Sequence, residues 1–89
     1  MMLPVLVVPV DDENQPIGET FEVITRDVSS SSVGLIHARQ ILNDRLAIHM
    51  SLANTDVDLV IELIWKRPMG PFYGSAGTYI EKLSRFPGE

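Results

Sequence analysis

Residues Arg45–Lys66 read RLAIHMSLANTDVDLVIELIWK, and this stretch decides the fold. Apolar residues recur at every second position, first at 46, 48, 50 and 52 and then at 57, 59, 61, 63 and 65. A period of two places these side chains on the same face of a β-strand. The polar segment Ala53–Asp56 separates the two runs and has the composition of a tight turn. The stretch therefore predicts a long β-hairpin, and Trp65, in phase with Leu63 and Ile61, is expected in the core.

The segments outside this hairpin predict four further strands. These are residues 3–10, 19–26, 33–38 and 72–80. Pro4 and Pro9 lack a backbone N–H, which places the first strand at an edge or rim. Arg67–Pro71 is expected to end the second hairpin strand, and Glu81–Phe86 predicts at most one short helical turn. Six strands without an amphipathic helix predict an all-β fold, an antiparallel barrel or sandwich, and closure is favoured because it removes unpaired edges.

Size and charge limit the classes of function. The 89 residues predict a single domain, 1–89, with a modest core. Seven basic and twelve acidic residues give a net charge of −5, which disfavours binding to DNA or RNA. The chain has no cysteine, no apolar run long enough to cross a bilayer and no secretory leader. We therefore expect a cytoplasmic protein that does not bind membranes.

A serine tract interrupts the apolar pattern. Residues Thr25–His37 read TRDVSSSSVGLIH, and the acid and four consecutive serines within it form a tract that is too polar for a core and too short for a linker. Asp27–Ser29 predicts a tight turn whose backbone N–H groups are open to a ligand. An ionised carboxylate accepts hydrogen bonds and a serine hydroxyl both donates and accepts, so this segment could hold a purine edge or an anion. A solvated strand connection is the alternative, and the residues alone favour it.

The same segment resembles a signature of a known family. Asp27-Val28-Ser29, followed after two residues by Ser32-Val33-Gly34-Leu35, resembles the Asp/Asn-x-Ser-x-x-Gly element of PilZ domains, small β-barrels that bind the bacterial second messenger cyclic di-GMP. Residues 3–10, 13–18, 64–68 and 73–77 extend the likeness over most of the chain. The resemblance implies a six-stranded antiparallel barrel of the split-barrel type. The ligand contacts that we expect are Arg26, Asp27, Ser29, Ser32 and Gly34.

The chain departs from the family pattern in two places. Ser32 stands at the position of the signature glycine, and the Arg-x-x-x-Arg signature that holds the phosphates and the guanine Hoogsteen edges in the family is absent. The resemblance therefore implies weak binding of cyclic di-GMP. The basic side chains placed to form a patch for a dianionic ligand are Arg26, Arg39, Arg45, Lys66 and Arg67.

Catalysis and metal binding are not expected. The chain has no Gly-x-Ser-x-Gly nucleophile elbow, and neither His37 nor His49 has a second ligand nearby in sequence. A second hypothesis keeps the fold without the nucleotide, as a degenerate PilZ-fold module that binds a protein partner. The contact surface would then be an aromatic and basic patch of Trp65, Phe72, Tyr73, Lys66 and Arg67.

Overall fold

The structure is a computed structural model that describes residues 2–88. Its six strands are β1 (Pro4–Pro9), β2 (Phe21–Val28), β3 (Ser32–His37), β4 (Arg45–Leu52), β5 (Thr55–Met69) and β6 (Phe72–Lys82). All neighbours are antiparallel in the order β1-β2-β3-β6-β5-β4, and β4 pairs with β1 to close a barrel. The predicted small six-stranded barrel is confirmed. Within residues 2–88 no helix has the length and apolarity to span a membrane.

The hairpin of β4 and β5 forms as its alternation predicts. The two strands pair without a break from Arg45 opposite Glu62 to Leu52 opposite Thr55. Ala53 and Asn54 connect them with φ angles of 45° and 72°, and a two-residue turn of type I′ requires positive φ at both positions. Leu46, Ile48 and Met50 point into the barrel and are at most 2% exposed.

The barrel has a core inside and a smaller one outside. The inner core consists of Val5, Val7, Val23, Val33, Leu35, Ile41, Leu46, Ile48, Met50, Ile61 and Leu63. The outer core consists of Val8, Val10, Ala47, Val60 and Phe86, with Leu83 packed against it. Residues after β6 therefore cover the outer face where β1, β4 and β5 meet, which explains why β1 is apolar on both faces.

The chain end differs from the predicted helical turn. The strand β6 continues to Lys82, which pairs with Leu59, and the Leu83 amide donates to the carbonyl of Asp58 at 2.8 Å. No helical turn forms between residues 81 and 86. Pairing with β5 satisfies these backbone groups, and burial of Phe86 at 3% exposure fixes the path of the segment that follows.

The strand β5 is longer than predicted, because Arg67 and Pro68 do not end it. Pro68 lies opposite Tyr73 inside the strand, and the chain turns only at Gly70, whose φ is 61°. The partner strand β4 pairs with β5 only as far as Glu62, so the later part of β5 has β6 as its single ladder neighbour. An edge of this kind tolerates a residue without an N–H.

Candidate functional site

A β-bulge in β2 places the two charged residues before the serine tract on the outside of the barrel. Thr25 lies opposite Leu35, and both are fully buried. The next pair is Asp27 opposite Gly34, so Arg26 is the extra residue. The Arg26 Nε lies 3.5 Å from an Asp27 carboxylate oxygen, and the Asp27 side chain is 68% exposed.

Gly34 allows this acid to lie across the neighbouring strand. A Cβ at position 34 would come within 2.5 Å of the Asp27 Oδ1 and 3.2 Å of an Arg26 guanidinium nitrogen. Such an approach to the carboxylate is too close for any residue other than glycine unless the carboxylate moves. Sterics therefore explain the glycine at this position of the predicted motif, because the Asp27 side chain lies directly over it.

The turn in the serine tract is shorter than predicted, and it is closed on itself. Asp27 and Val28 belong to β2, so the predicted turn at Asp27–Ser29 is wrong, and the connection between the strands runs from Ser29 to Ser31. The backbone N–H of Ser29 donates to the carbonyl of Ser32 at 2.9 Å. The Ser29 hydroxyl accepts from the amides of Ser31 and Ser32 at 3.3 and 3.1 Å. Those two amides, expected to be open to a ligand, are therefore satisfied within the turn.

Tyr79 anchors the turn from β6. Its hydroxyl donates to the carbonyl of Ser29 at 2.9 Å, and its amide donates to the carbonyl of Ser31 at 3.1 Å. Burial raises the pKa of the Tyr79 hydroxyl, so the group stays protonated and remains a donor. The serine tract thus has a fixed shape beside Asp27.

A second bulge turns Trp65 out of the barrel. Leu63 lies opposite Gly77, but Trp65 lies opposite Ala76, so Ile64 is an extra residue and the alternation changes phase. The prediction of a core position for Trp65 is therefore wrong. The indole is partly exposed and lies beneath two guanidinium groups, with Arg26 at 5.5 Å and Arg67 at 4.7 Å from the ring.

Strand register brings these groups into one row. Asp27 pairs with Gly34, Gly34 with Ala76, and Ala76 with Trp65. The row crosses four adjacent strands, or about 14 Å at the usual strand spacing. Its two central positions, Gly34 and Ala76, carry no side chain larger than a methyl group, and the ends of the Asp27 and Arg26 side chains lie over Gly34. We call Arg26, Asp27, Gly34, Trp65 and Arg67 the outer row.

The other predicted basic residues lie elsewhere. Arg39 pairs with Glu19 at 3.7 Å, and Arg45 pairs with Glu81 at 3.6 Å. Lys66 pairs with Asp44 at 2.7 Å. Of the five predicted cations, only Arg26 and Arg67 share a contact, because both guanidinium groups lie over the ring of Trp65.

A cavity of about 200 Å³ opens where β5 ends and β6 begins. Its lining includes His37, Ile41, Pro68 and Tyr73, and it shares Arg67 with the outer row. The predicted contacts Arg26, Asp27, Ser29, Ser32 and Gly34 line neither this cavity nor the two at Phe86 and Phe21. Nothing in the sequence predicts the cavity, because its lining combines residues 37–42 with residues 66–74, two segments that are distant in the chain.

His37 is held at the wall of this cavity. Its Nδ1–H donates to the carbonyl of Arg39 at 2.6 Å, and its Nε2 accepts from the Ser75 hydroxyl at 3.1 Å. Burial lowers the pKa of His37, and the hydrogen bond to the Arg39 carbonyl offsets this only in part. The neutral imidazole stacks on Tyr73 with ring centroids 6.2 Å apart.

Residues 2–88 contain no group of three or more histidine, cysteine, aspartate or glutamate side chains that could hold a metal ion. Comparison with known proteins found no matching family model, no matching curated protein and no matching solved structure.

Proposed function

We propose that this protein is a non-enzymatic regulatory domain of the bacterial cytoplasm that binds cyclic di-GMP on the outer row. One observation carries the proposal. The Asp27 carboxylate, two arginines and the indole of Trp65 come together on one face, over the small residues Gly34 and Ala76. The resemblance of the serine tract to the PilZ signature supports the same ligand.

The chemistry of guanine suits this set of groups. Its N1–H and N2–H₂ are donors for which a carboxylate is the matching acceptor, and its O6 and N7 accept a bidentate arginine fork. The flat base also stacks on indole or guanidinium planes. Asp27 would therefore hold the Watson–Crick edge, while Arg26 or Arg67 would contact the Hoogsteen edge or a phosphate.

Charge makes weak binding the expected outcome. The chain carries a net charge of −5, and the outer row supplies two cations against one acid. Without an Arg-x-x-x-Arg pair, the row has few groups to neutralise the two phosphates of the ligand.

Titration calorimetry on the wild-type protein and two variants tests this proposal. Asp27→Asn removes the charged acceptor and places an amide donor before guanine N2, so binding of cyclic di-GMP should be lost. Asp12→Asn removes a solvent-exposed acid outside the outer row and should leave binding unchanged. The absence of heat from wild-type protein at millimolar cyclic di-GMP, or equal affinity in Asp27→Asn, would refute nucleotide binding at this site.

A second candidate keeps the surface but changes the ligand to a protein. Ile64 is 61% exposed and Phe72 is 48% exposed, and both lie on the strands that carry Trp65 and its neighbours. Aromatic and arginine side chains supply many of the anchors of protein interfaces. Asp27→Asn separates the two functions, because a protein complex that survives this variant while Phe72→Ser abolishes it would assign the surface to the partner.

A further inference from the structure

We propose that the free edge of β5, from Ile64 to Met69, binds an extended acidic segment of a partner protein as an added antiparallel strand. The added strand places an acidic side chain beside Arg67 and an apolar side chain toward the cavity where β5 ends. The contact is made by the backbone edge of the sheet, and it does not depend on the binding of cyclic di-GMP.

The backbone of β5 is unpaired on one side along this edge. Within residues 2–88, the connection to β4 makes its last backbone hydrogen bond to β5 at Leu63, whose amide donates to the carbonyl of Asp44 at 2.7 Å. Beyond Leu63, only β6 pairs with β5. Residues 66–69 are all exposed. An unpaired edge of this kind is a template for a further strand.

The turn after β5 determines which backbone groups point to the edge. Residues 70–71 form a two-residue turn whose glycine has a φ of 61°, and such a turn closes on a hydrogen-bonded pair, here Met69 and Phe72. Hydrogen-bonded and non-hydrogen-bonded pairs alternate along an antiparallel ladder. The backbone groups of Pro68 and Lys66 therefore point away from β6. The edge offers the N–H of Lys66 as a donor and the carbonyls of both residues as acceptors.

The two faces beside this edge carry different groups. Pro68 lies opposite Tyr73 in the register, on the face of the sheet where the cavity opens, and Lys66 has the same phase. Arg67 points to the other face, where its guanidinium lies 4.7 Å from the ring of Trp65. Side chains of an added strand alternate in the same way. The residue opposite Arg67 therefore points to the outer face, and its two neighbours point toward the cavity.

The cavity accommodates one apolar side chain of the added strand. Its volume is about 200 Å³, and Ile41, Pro68 and Tyr73 contribute apolar surface to its lining. The Tyr73 ring stacks on His37, so this wall is ordered before a ligand arrives. Backbone hydrogen bonds combined with a pocket for alternate side chains are the means by which strand addition becomes specific.

Charge favours an acidic segment over a second copy of this chain. Within residues 2–88 Arg67 forms no ion pair, whereas the Lys66 ammonium lies 2.7 Å from the Asp44 carboxylate. An acid opposite Arg67 gains a cross-strand partner of opposite charge. Antiparallel pairing of two copies about Lys66 or Arg67 would instead place like charges opposite each other. Lysine and proline on an edge prevent such self-pairing, but they do not repel an acidic strand.

Titration with the acetylated and amidated peptide Thr-Val-Glu-Leu-Thr-Ser tests the proposal, with its glutamate designed to lie opposite Arg67 and its leucine opposite Lys66. At millimolar peptide, the backbone amide signals of both residues should shift saturably, and hydrogen exchange at the Lys66 amide should slow. N-methylation of the leucine blocks its hydrogen bond to the Lys66 carbonyl and should weaken binding about tenfold. N-methylation of the glutamate, whose N–H points away from β5, is the matched control and should leave binding unchanged.

Three results would overturn strand addition at this edge. These are the absence of a saturable shift, an equal effect of the two methylations, and a dimeric chain whose Lys66 amide is protected without peptide. The last result would show that a second copy occupies the edge.

Three variants assign the acidic contact. Arg67→Glu should weaken the glutamate peptide about fivefold and favour an analogue with lysine in place of glutamate. Arg26→Gln removes the other guanidinium over Trp65 and should retain wild-type affinity for the glutamate peptide. Asp27→Asn should also retain it, so failure of the nucleotide site and failure of the edge are distinguished. The same spectra show whether each variant is folded, and an unchanged charge preference in Arg67→Glu would contradict the position of the acid.

Discussion

Two glycines of the barrel differ in what surrounds the missing side chain, and this difference predicts that alanine has a small effect on stability at one and a larger effect at the other. At Gly34 the nearest atoms belong to the ends of the Asp27 and Arg26 side chains, which can move into solvent. Gly34→Ala should therefore change the free energy of unfolding by less than about 1 kcal/mol. It should nevertheless weaken cyclic di-GMP binding, because the carboxylate is displaced.

Gly77 is the matched control for this experiment. A Cβ there would lie 2.9 Å from the backbone oxygen of Glu62 and 3.2 Å from the side chains of Ile61 and Leu63. These neighbours are packed, so Gly77→Ala should destabilise the protein by about 1–3 kcal/mol. Urea unfolding of both variants, with calorimetry on Gly34→Ala, checks the pair. A Gly34→Ala protein that binds like wild type would show that the position of Asp27 is irrelevant.

His37 makes stability depend on pH. Its pKa in the folded protein is lower than the unfolded value of 6.5, so the unfolded chain binds more protons just below that pH. The contribution of His37 to stability is therefore full above pH 6.5 and is lost as the pH falls from 6.5 through the folded pKa. The difference in unfolding free energy between wild type and His37→Gln should shrink over this window. A difference that is constant with pH would contradict a buried neutral imidazole.

At the scale of elements, side-chain alternation predicted the strands but not the bulges. The alternation from Leu46 to Leu63 survives in the barrel because those strands pair without interruption there on their inner face. The bulges at Arg26 and Ile64 cannot be recognised from the pattern of apolar residues, because the extra residue of a bulge can be polar or apolar. The alternation therefore predicts a core position for Trp65, and it gives no indication of the contacts between Trp65 and the guanidinium groups of Arg26 and Arg67. The pairing of Asp27 with Gly34 is easier to predict from the sequence, because both residues belong to one local motif.

The serine turn predicts an asymmetry among adjacent, chemically identical residues. The Ser29 hydroxyl accepts two backbone amides, whereas Ser30 is exposed and makes no hydrogen bond within the described chain. Ser29→Ala should lower the free energy of unfolding by about 0.5–1.5 kcal/mol and speed hydrogen exchange at the Ser31 and Ser32 amides. Ser30→Ala should do neither. Equal behaviour of the two variants would mean that the tract is an unstructured connection.

At the scale of the whole molecule, the barrel depends on a segment that belongs to none of its strands. Residues 83–87 cross the outside of the barrel, and Phe86 packs there on Val8, Val10, Ala47 and Val60. Closure by β1 and β4 leaves these four side chains on the outer face, where water would otherwise contact them. The apolar character of both faces of β1 was visible in the sequence, but what covers its outer face was not, because the contact joins residues far apart in the chain.

Phe86 should therefore stabilise the whole barrel rather than only its own segment. Phe86→Ala removes a side chain that is 3% exposed and should reduce the free energy of unfolding by about 3–5 kcal/mol. Phe72→Ala removes the same group from a position that is 48% exposed and should change it by about 0.5 kcal/mol or less. Urea unfolding and hydrogen exchange in β1 and β4 measure both effects. If Phe86→Ala accelerates exchange only after residue 82 while β1 and β4 keep their protection, the segment is an accessory that detaches, and the barrel is stable on its inner core alone.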